Sequence, residues 1–241
     1  MINNTWWLED CYWQADMEQV MFDHSAFIDK QKIKTTVKFH DLTINVEAGV
    51  YHPIDGSSTS LIGESLRALV TPDAAVLDMG CGSGALSFLS VASGAKYAVA
   101  VDVSDAACYC AYQNANNLNF SDKVTVIKSD LFENIPSQQF DLIVFNPPLL
   151  HCEPVNNVES PDYNMMAIDN QGGLLHHFIE SVSNYLKVNG RLVLLISNIG
   201  DKHVVQSMAD KISKIGKVEV LSATFRNSGM QWRFLLSVVK S

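Results

Sequence analysis

The sequence predicts an α/β fold: a doubly wound, mostly parallel seven-stranded sheet with an N-terminal helix and β-hairpin extension. Three observations carry this reading. Beyond residue 60, apolar strand-like runs alternate with helical stretches, the pattern of βα units whose strands pair parallel. Runs such as Leu192 to Ile196 are apolar on both faces, as strands covered by helices on both sides must be. The last two runs have no helix between them, only a short connection that holds Asn227, Ser228 and Gly229. Strands joined so closely pair antiparallel.

Residues 5–30 are rich in aromatic and acidic side chains, and Trp6, Trp13, Met17 and Val20 approximate one helical stripe. One or two short helices are expected here. They could close over a site as a lid, pack on the sheet edge, or meet a second copy. Residues 34–46 then alternate with period two, interrupted at His40-Asp41. This predicts a hairpin with strands near 33–39 and 42–47. Sheet strands follow near 75–79, 97–102, 123–128, 140–145, 190–196, 217–223 and 231–239. Helices are expected near 59–70, 83–93, 104–118, 173–187 and 201–214. The chain thus divides into an aromatic-rich helical lid and hairpin, 1–48, and a main domain, 49–241.

Composition narrows the partners. With 241 residues, 47% of them hydrophobic, the chain can bury a full core. No apolar run approaches membrane-spanning length, and the N-terminus lacks a basic region followed by an apolar stretch. Neither a membrane segment nor a secretory signal is expected. The five cysteines, at 11, 81, 108, 110 and 152, form no even framework. They read as buried reduced thiols of a cytoplasmic protein, and no metal site is expected. Net charge is −9 and no basic run occurs, so a nucleic-acid partner is not expected. A small-molecule or peptide substrate fits better, and a homodimer stays open.

Two segments carry chemistry. In the first, Asp78 precedes Gly80-Cys81-Gly82-Ser83-Gly84 between a strand and a helix. Glycines let a ligand approach the backbone, and the helix that follows offers free N–H groups. Residue 85 is Ala, so the spacing is not that of a dinucleotide loop. A nucleoside carrying an amino acid fits better, with Asp78 balancing its cationic amino group; a plain tight turn is the alternative. Asp102 ends the next strand, placed to bind ribose hydroxyls or to cap the helix at Ser104. Asp130 and Leu131 follow the third strand, where they could meet an adenine or simply form a loop.

The second segment is Asn146-Pro147-Pro148-Leu149, after the apolar run Leu142 to Phe145. Two prolines remove two N–H donors and fix φ twice, so Asn146 leaves the sheet at a stiff corner. Its side-chain oxygen and the proline carbonyls can accept hydrogen bonds from an amine or amide. Several acceptors around one nitrogen aim its lone pair, which is catalysis by position. Asn146 and Pro147 are therefore candidate catalytic groups. The long loop 149–172 adds Tyr163 as a third and His151 as a substrate contact. Pro148, Leu149 and Trp13 complete the expected substrate wall.

With these motifs in view, the chain resembles the class I S-adenosylmethionine-dependent methyltransferases that carry an Asn-Pro-Pro-aromatic motif. That group includes adenine and guanine N-methyltransferases and HemK-type release-factor glutamine methyltransferases. The resemblance spans about 48–241 and includes Val50-Tyr51-His52-Pro53 and Thr59 ahead of Leu61-Ile62. It implies S-adenosylmethionine as cofactor, with Tyr51, Thr59 and Asn146 among its contacts. It also implies the sheet order 3-2-1-4-5-7-6 with the seventh strand antiparallel.

The chain departs from the group in two places. Leu149 stands where the family has Tyr or Phe, and Leu offers no π face to a planar base or amide. The short, Trp-rich N-terminal segment is not the helical bundle of bacterial HemK-type enzymes. The function expected first is therefore N-methylation of a small molecule, amino acid or peptide nitrogen. A HemK-like protein glutamine methyltransferase comes second. A third reading is a cyclase: the α-amine of S-adenosylmethionine attacks its own γ-carbon, giving azetidine-2-carboxylate and methylthioadenosine. A non-catalytic nucleoside-binding module is the fourth, and the intact Asn-Pro-Pro element speaks against it.

Overall fold

The computed structural model describes residues 8, 13, 20, 29–151, 166–226 and 231–241. A hairpin comes first: β1 (Thr35–Phe39) pairs antiparallel with β2 (Leu42–Val46). His40 turns the chain between them with a left-handed φ of 53°. Seven more strands form one sheet: β3 (Ala75–Met79), β4 (Tyr97–Asp102), β5 (Val124–Lys128), β6 (Phe140–Phe145), β7 (Leu186–Ser197), β8 (Gly216–Arg226) and β9 (Gln231–Lys240). Their order is β5-β4-β3-β6-β7-β9-β8. The first five run parallel, and β9 lies antiparallel to both β7 and β8. Counted within the sheet alone, this is the order 3-2-1-4-5-7-6 that the resemblance implied.

Strand period two sorts side chains onto the two faces. Val76, Leu142, Val144, Val193, Leu195 and Leu235 lie on one face. Helices α1 (Ser58–Leu69), α2 (Ala85–Ala92) and α3 (Asp105–Asn117) cover it. Leu77, Ile143, Leu192, Leu194 and Leu236 lie on the other, under α4 (Gly173–Tyr185) and α5 (Lys202–Ser213). The hairpin shares the first core through Ile44 and Val46. Asn114 of α3 fixes it there, accepting from Asn45 N at 3.0 Å and donating to Asn45 O at 2.7 Å.

Two boundaries differ from the sequence reading by more than two residues. β7 starts at Leu186, inside the expected helix, because Leu186 pairs with Phe140 before the register shifts at Leu142 and Arg191. β8 continues to Arg226, held by pairing down to Gln231.

Aromatic packing stiffens the strand that leads to the Asn-Pro-Pro corner. Phe178 of α4 is fully buried, with its ring centroid 4.5 Å from Phe145 and 5.5 Å from Phe132. Phe178→Ala is expected to lower unfolding stability by about 3–5 kcal/mol through transfer and cavity terms; urea denaturation measures it.

Candidate active site

The carboxyl ends of β3, β4 and β6 meet at one edge of the sheet, where open α/β sheets place their sites. The glycine loop leaves β3 there. At Gly82, φ is +52°, and a Cβ would stand 3.9 Å from Val50 on the wall of a cavity. Gly84 serves packing instead: its φ is +83°, and a Cβ would lie 2.6 Å from the Phe88 ring. Gly84 is also the N-cap of α2 and offers no side-chain cap. The first-turn N–H groups of Ala85 and Leu86 have no intrahelical partner, and both residues line the same cavity.

That cavity, of about 130 Å³, is walled by Gly80, Cys81 and Gly82 of the loop. Asp102, Asp130 and Leu131 line it too, as do Tyr51, Thr59, Asn146 and Pro148. Asp102 Oδ2 accepts from Gly82 N at 2.9 Å and Oδ1 from Ser104 N at 3.0 Å. The capping role on α3 belongs to Ser104, which accepts from Ala107 N. Burial pushes the Cys81 thiol well above its ordinary range, so it is a neutral wall atom. The surroundings fit S-adenosylmethionine: bare backbone and helix N–H groups at the loop, carboxylates at two strand ends, and apolar Met79, Val103 and Phe145 between them.

Asp78 and Gly84 are not on this wall. Asp78 is 2% exposed and turns towards α2, where Oδ2 accepts from Ser87 N at 2.9 Å and Ser87 Oγ at 2.7 Å. Burial is the main cause that raises its pKa from 3.8 to about 7.

A second cavity, of about 210 Å³, adjoins the first. Tyr51, Asn146 and Met166 line both. Asn146 thus stands at the junction, with Nδ2 donating to Thr59 Oγ1 at 3.3 Å and its carbonyl oxygen left as acceptor. Pro147 and Leu149 line the second cavity, as do Val20 of the N-terminal segment and Ser58, Ser197, Thr224 and Arg233.

The other expected substrate contacts lie elsewhere. His151 lines neither cavity; its Nδ1 accepts from Asp201 N at 3.1 Å, and burial lowers its pKa. Trp13 packs edge-on against Trp232, centroids 5.2 Å apart, on the face covered by α4 and α5. Tyr163 lies outside the described residues. Among the described residues, no group of three His, Cys, Asp or Glu is placed to hold a metal, and no helix is long and apolar enough to cross a membrane.

Sequence reasoning missed Met166, Ser197, Thr224 and Arg233. A signal for the last two existed. An antiparallel final strand brings its amino end, and the carboxyl end of its partner, to the edge where the parallel strands deliver their carboxyl ends.

Comparison with known proteins places this geometry. Residues 41–223 match the family model of the methyltransferase small domain. A Methanocaldococcus jannaschii protein, provisionally named as a protein N5-glutamine methyltransferase, is 33% identical over 193 residues, covering 76% of this chain and 89% of that protein. The release factor glutamine methyltransferase of Rhodopirellula baltica is 38% identical over 120 residues, 47% of this chain and 40% of its own length. The ribosomal protein uL3 glutamine methyltransferase of Francisella tularensis is 34% identical over 130 residues, with 51% and 41% covered. The chain therefore spans well under half the length of these two bacterial relatives. Among solved structures, a T. thermophilus 16S rRNA N2 G1207 methyltransferase in complex with AdoMet and guanosine superposes with a TM-score of 0.64. At 20% identity, covering 87% of this chain and 50% of that one, the likeness is one of fold.

The placement of Asp78 sets a pH dependence. Folded Asp78 keeps its proton up to about pH 7, whereas the unfolded carboxyl loses it near 3.8. Stability from this group therefore falls as pH rises through that window. His52 and His151, whose pKa values burial lowers, act in the opposite sense. Asp78→Asn retains an acceptor for Ser87 and cannot ionise. The difference in Tm, wild type minus variant, is expected to decline between about pH 5 and 7 in differential scanning calorimetry.

Proposed function

The chain belongs to the methyltransferase small domain family of class I S-adenosylmethionine-dependent methyltransferases, and on that premise we propose that it methylates the carboxamide nitrogen of a protein glutamine. The position of Asn146 on the partition between the two cavities carries this reading. Bound S-adenosylmethionine supplies a methyl group already activated on a sulfonium sulfur. The glycine loop, the start of α2, Asp102 and Leu131 would hold that molecule in the first cavity. The second cavity would receive the acceptor.

A carboxamide nitrogen is a poor nucleophile because its lone pair is delocalised into the adjacent carbonyl. Orientation therefore matters more than for an amine. The Asn146 carbonyl oxygen can accept one N–H of the acceptor, while Thr59 restrains the other end of the Asn146 amide. Prolines at 147 and 148 contribute carbonyl acceptors and no N–H donors, so nothing there competes for the nitrogen lone pair. The apolar side chains of Val20, Leu149, Leu150 and Ile199 line that cavity and would offer water no hydrogen-bond partner beside the reacting nitrogen.

The sequence alone ranks a small-molecule or peptide nitrogen ahead of protein glutamine, because Leu149 lacks a ring. The relatives favour glutamine: three of them carry glutamine methyltransferase in their names. A carboxamide is smaller than a base, and the aliphatic Leu149 can pack against it. The cyclase reading needs no acceptor space, and the cavity beside Asn146 speaks against it.

The deciding experiment incubates the protein with S-adenosylmethionine and a release-factor domain carrying a Gly-Gly-Gln sequence. S-adenosylhomocysteine should form, and peptide mapping should find one added methyl on the glutamine side chain. Methylthioadenosine from S-adenosylmethionine alone would instead identify the cyclase. Asn146→Ala should lower the methylation rate by about 10²-fold or more, as loss of an aligned polar group in an active site does; a rate near that of wild type removes Asn146 from the mechanism.

A further inference from the structure

Part of the wall of the acceptor cavity is polar, and sheet register builds it. Arg233 of β9 pairs with Ser197 of β7 on one side and Thr224 of β8 on the other. Residues directly opposite in antiparallel strands share a face, so the three form a row across the sheet. Leu235 places that row on the face covered by α1. All three line the cavity.

The members of the row differ in what they already do. Ser197 Oγ donates to Trp232 O at 2.6 Å. Arg233 is braced from α1, with Nη1 donating to Ser58 Oγ at 3.0 Å and Nη2 to Gly56 O at 3.3 Å. Thr224 Oγ1 is buried and has no hydrogen-bond partner among the described residues. A buried hydroxyl without a partner is a cost to the folded protein, and a ligand can offset it.

We infer that Thr224 and Arg233 form a subsite that binds a main-chain carbonyl oxygen of the acceptor peptide and so sets the glutamine carboxamide against Asn146. The inference rests on the glutamine reading above. Three features support it. Both residues line the cavity and carry N–H or O–H donors, and a peptide carbonyl is the acceptor a polypeptide substrate always carries. The guanidinium is tied to Ser58, the neighbour of Thr59, which in turn holds Asn146. Finally, Phe145 pairs with Leu194, so the row at Ser197 stands two residues beyond the level of Asn146, roughly 7 Å along the strands. That is about the length of a glutamine side chain, from its carboxamide back to the main chain. Arg233 and Thr224 are thus positioning residues for an extended glutamine, with no part in bond making.

The test uses a variant that a purely structural role would not penalise. Thr224→Val keeps the shape and deletes the unpartnered hydroxyl, so its Tm should equal or exceed that of wild type. With acetyl-Gly-Gly-Gln-amide as acceptor, its KM should rise about fivefold to tenfold, the loss of one hydrogen bond, with kcat within about twofold. Thr224→Ser should restore KM, and Arg233→Lys, which loses the planar fork, should raise it. An unchanged KM in Thr224→Val overturns the subsite and leaves the methyltransferase reading intact. If the peptide is not methylated at all, the glutamine reading fails by itself. Titration of the same peptide into protein loaded with S-adenosylhomocysteine then decides the subsite. Weaker binding by Thr224→Val supports it; equal binding, or none to wild type, overturns it.

Discussion

The hydrogen bond between Asn146 and Thr59 joins the two halves of the site. It spans 87 residues of sequence and ties the end of β6 to the first turn of α1. Each partner is stiff for its own reason. Asn146 follows a strand that pairs on both sides and is packed on both faces, and two prolines fix the chain beyond it. Thr59 sits in a helix whose start is capped by Ser57, which accepts from Ser60 N. Tyr51 adds a second brace, its Oη accepting from Ser58 N at 3.3 Å. Without this cross-link the carboxamide could turn about its own χ angles, and in the proposed reaction an acceptor held by it would lose its aim.

Support for the glycine loop is layered in the same way. Asp102 holds Gly82 from the cavity side, and Asp78 holds the first turn of α2 from behind. The second carboxyl is deeply buried, and its high pKa is the mark of a group kept neutral by desolvation. A neutral acid there costs less than an ion and still accepts from Ser87. The loop thus keeps its backbone on the cavity wall while Asp78, protonated below about pH 7, supports α2 from the core.

Most of the fold was legible because its signals are local. Apolar runs of strand length, helical periodicity and the absence of a helix between β8 and β9 need no knowledge of tertiary contacts. The start of β7 was not legible, because Leu186 is held in the strand by its non-local partner Phe140. The site divides along the same line. Loop and strand-end residues such as Gly80, Asp102 and Asn146 could be placed from position alone. Asp78 shares its parity with Val76, which faces α2, so alternation along β3 already pointed it away from the loop's ligand side. The row of Ser197, Arg233 and Thr224 depends on the register of three strands, which no local pattern encodes. Trp13 looked like a lid residue by composition, yet a large ring is equally at home against Trp232.

Because Tyr51, Asn146 and Met166 belong to both chambers, neither chamber can fill without touching the other's boundary. Any free energy that one occupant gains from the presence of its neighbour must be returned in equal measure. An acceptor that binds more tightly once the donor is seated must, by the same factor, tighten the donor's own equilibrium binding. A partition of only three side chains is thus enough to make the affinities of the two chambers interdependent.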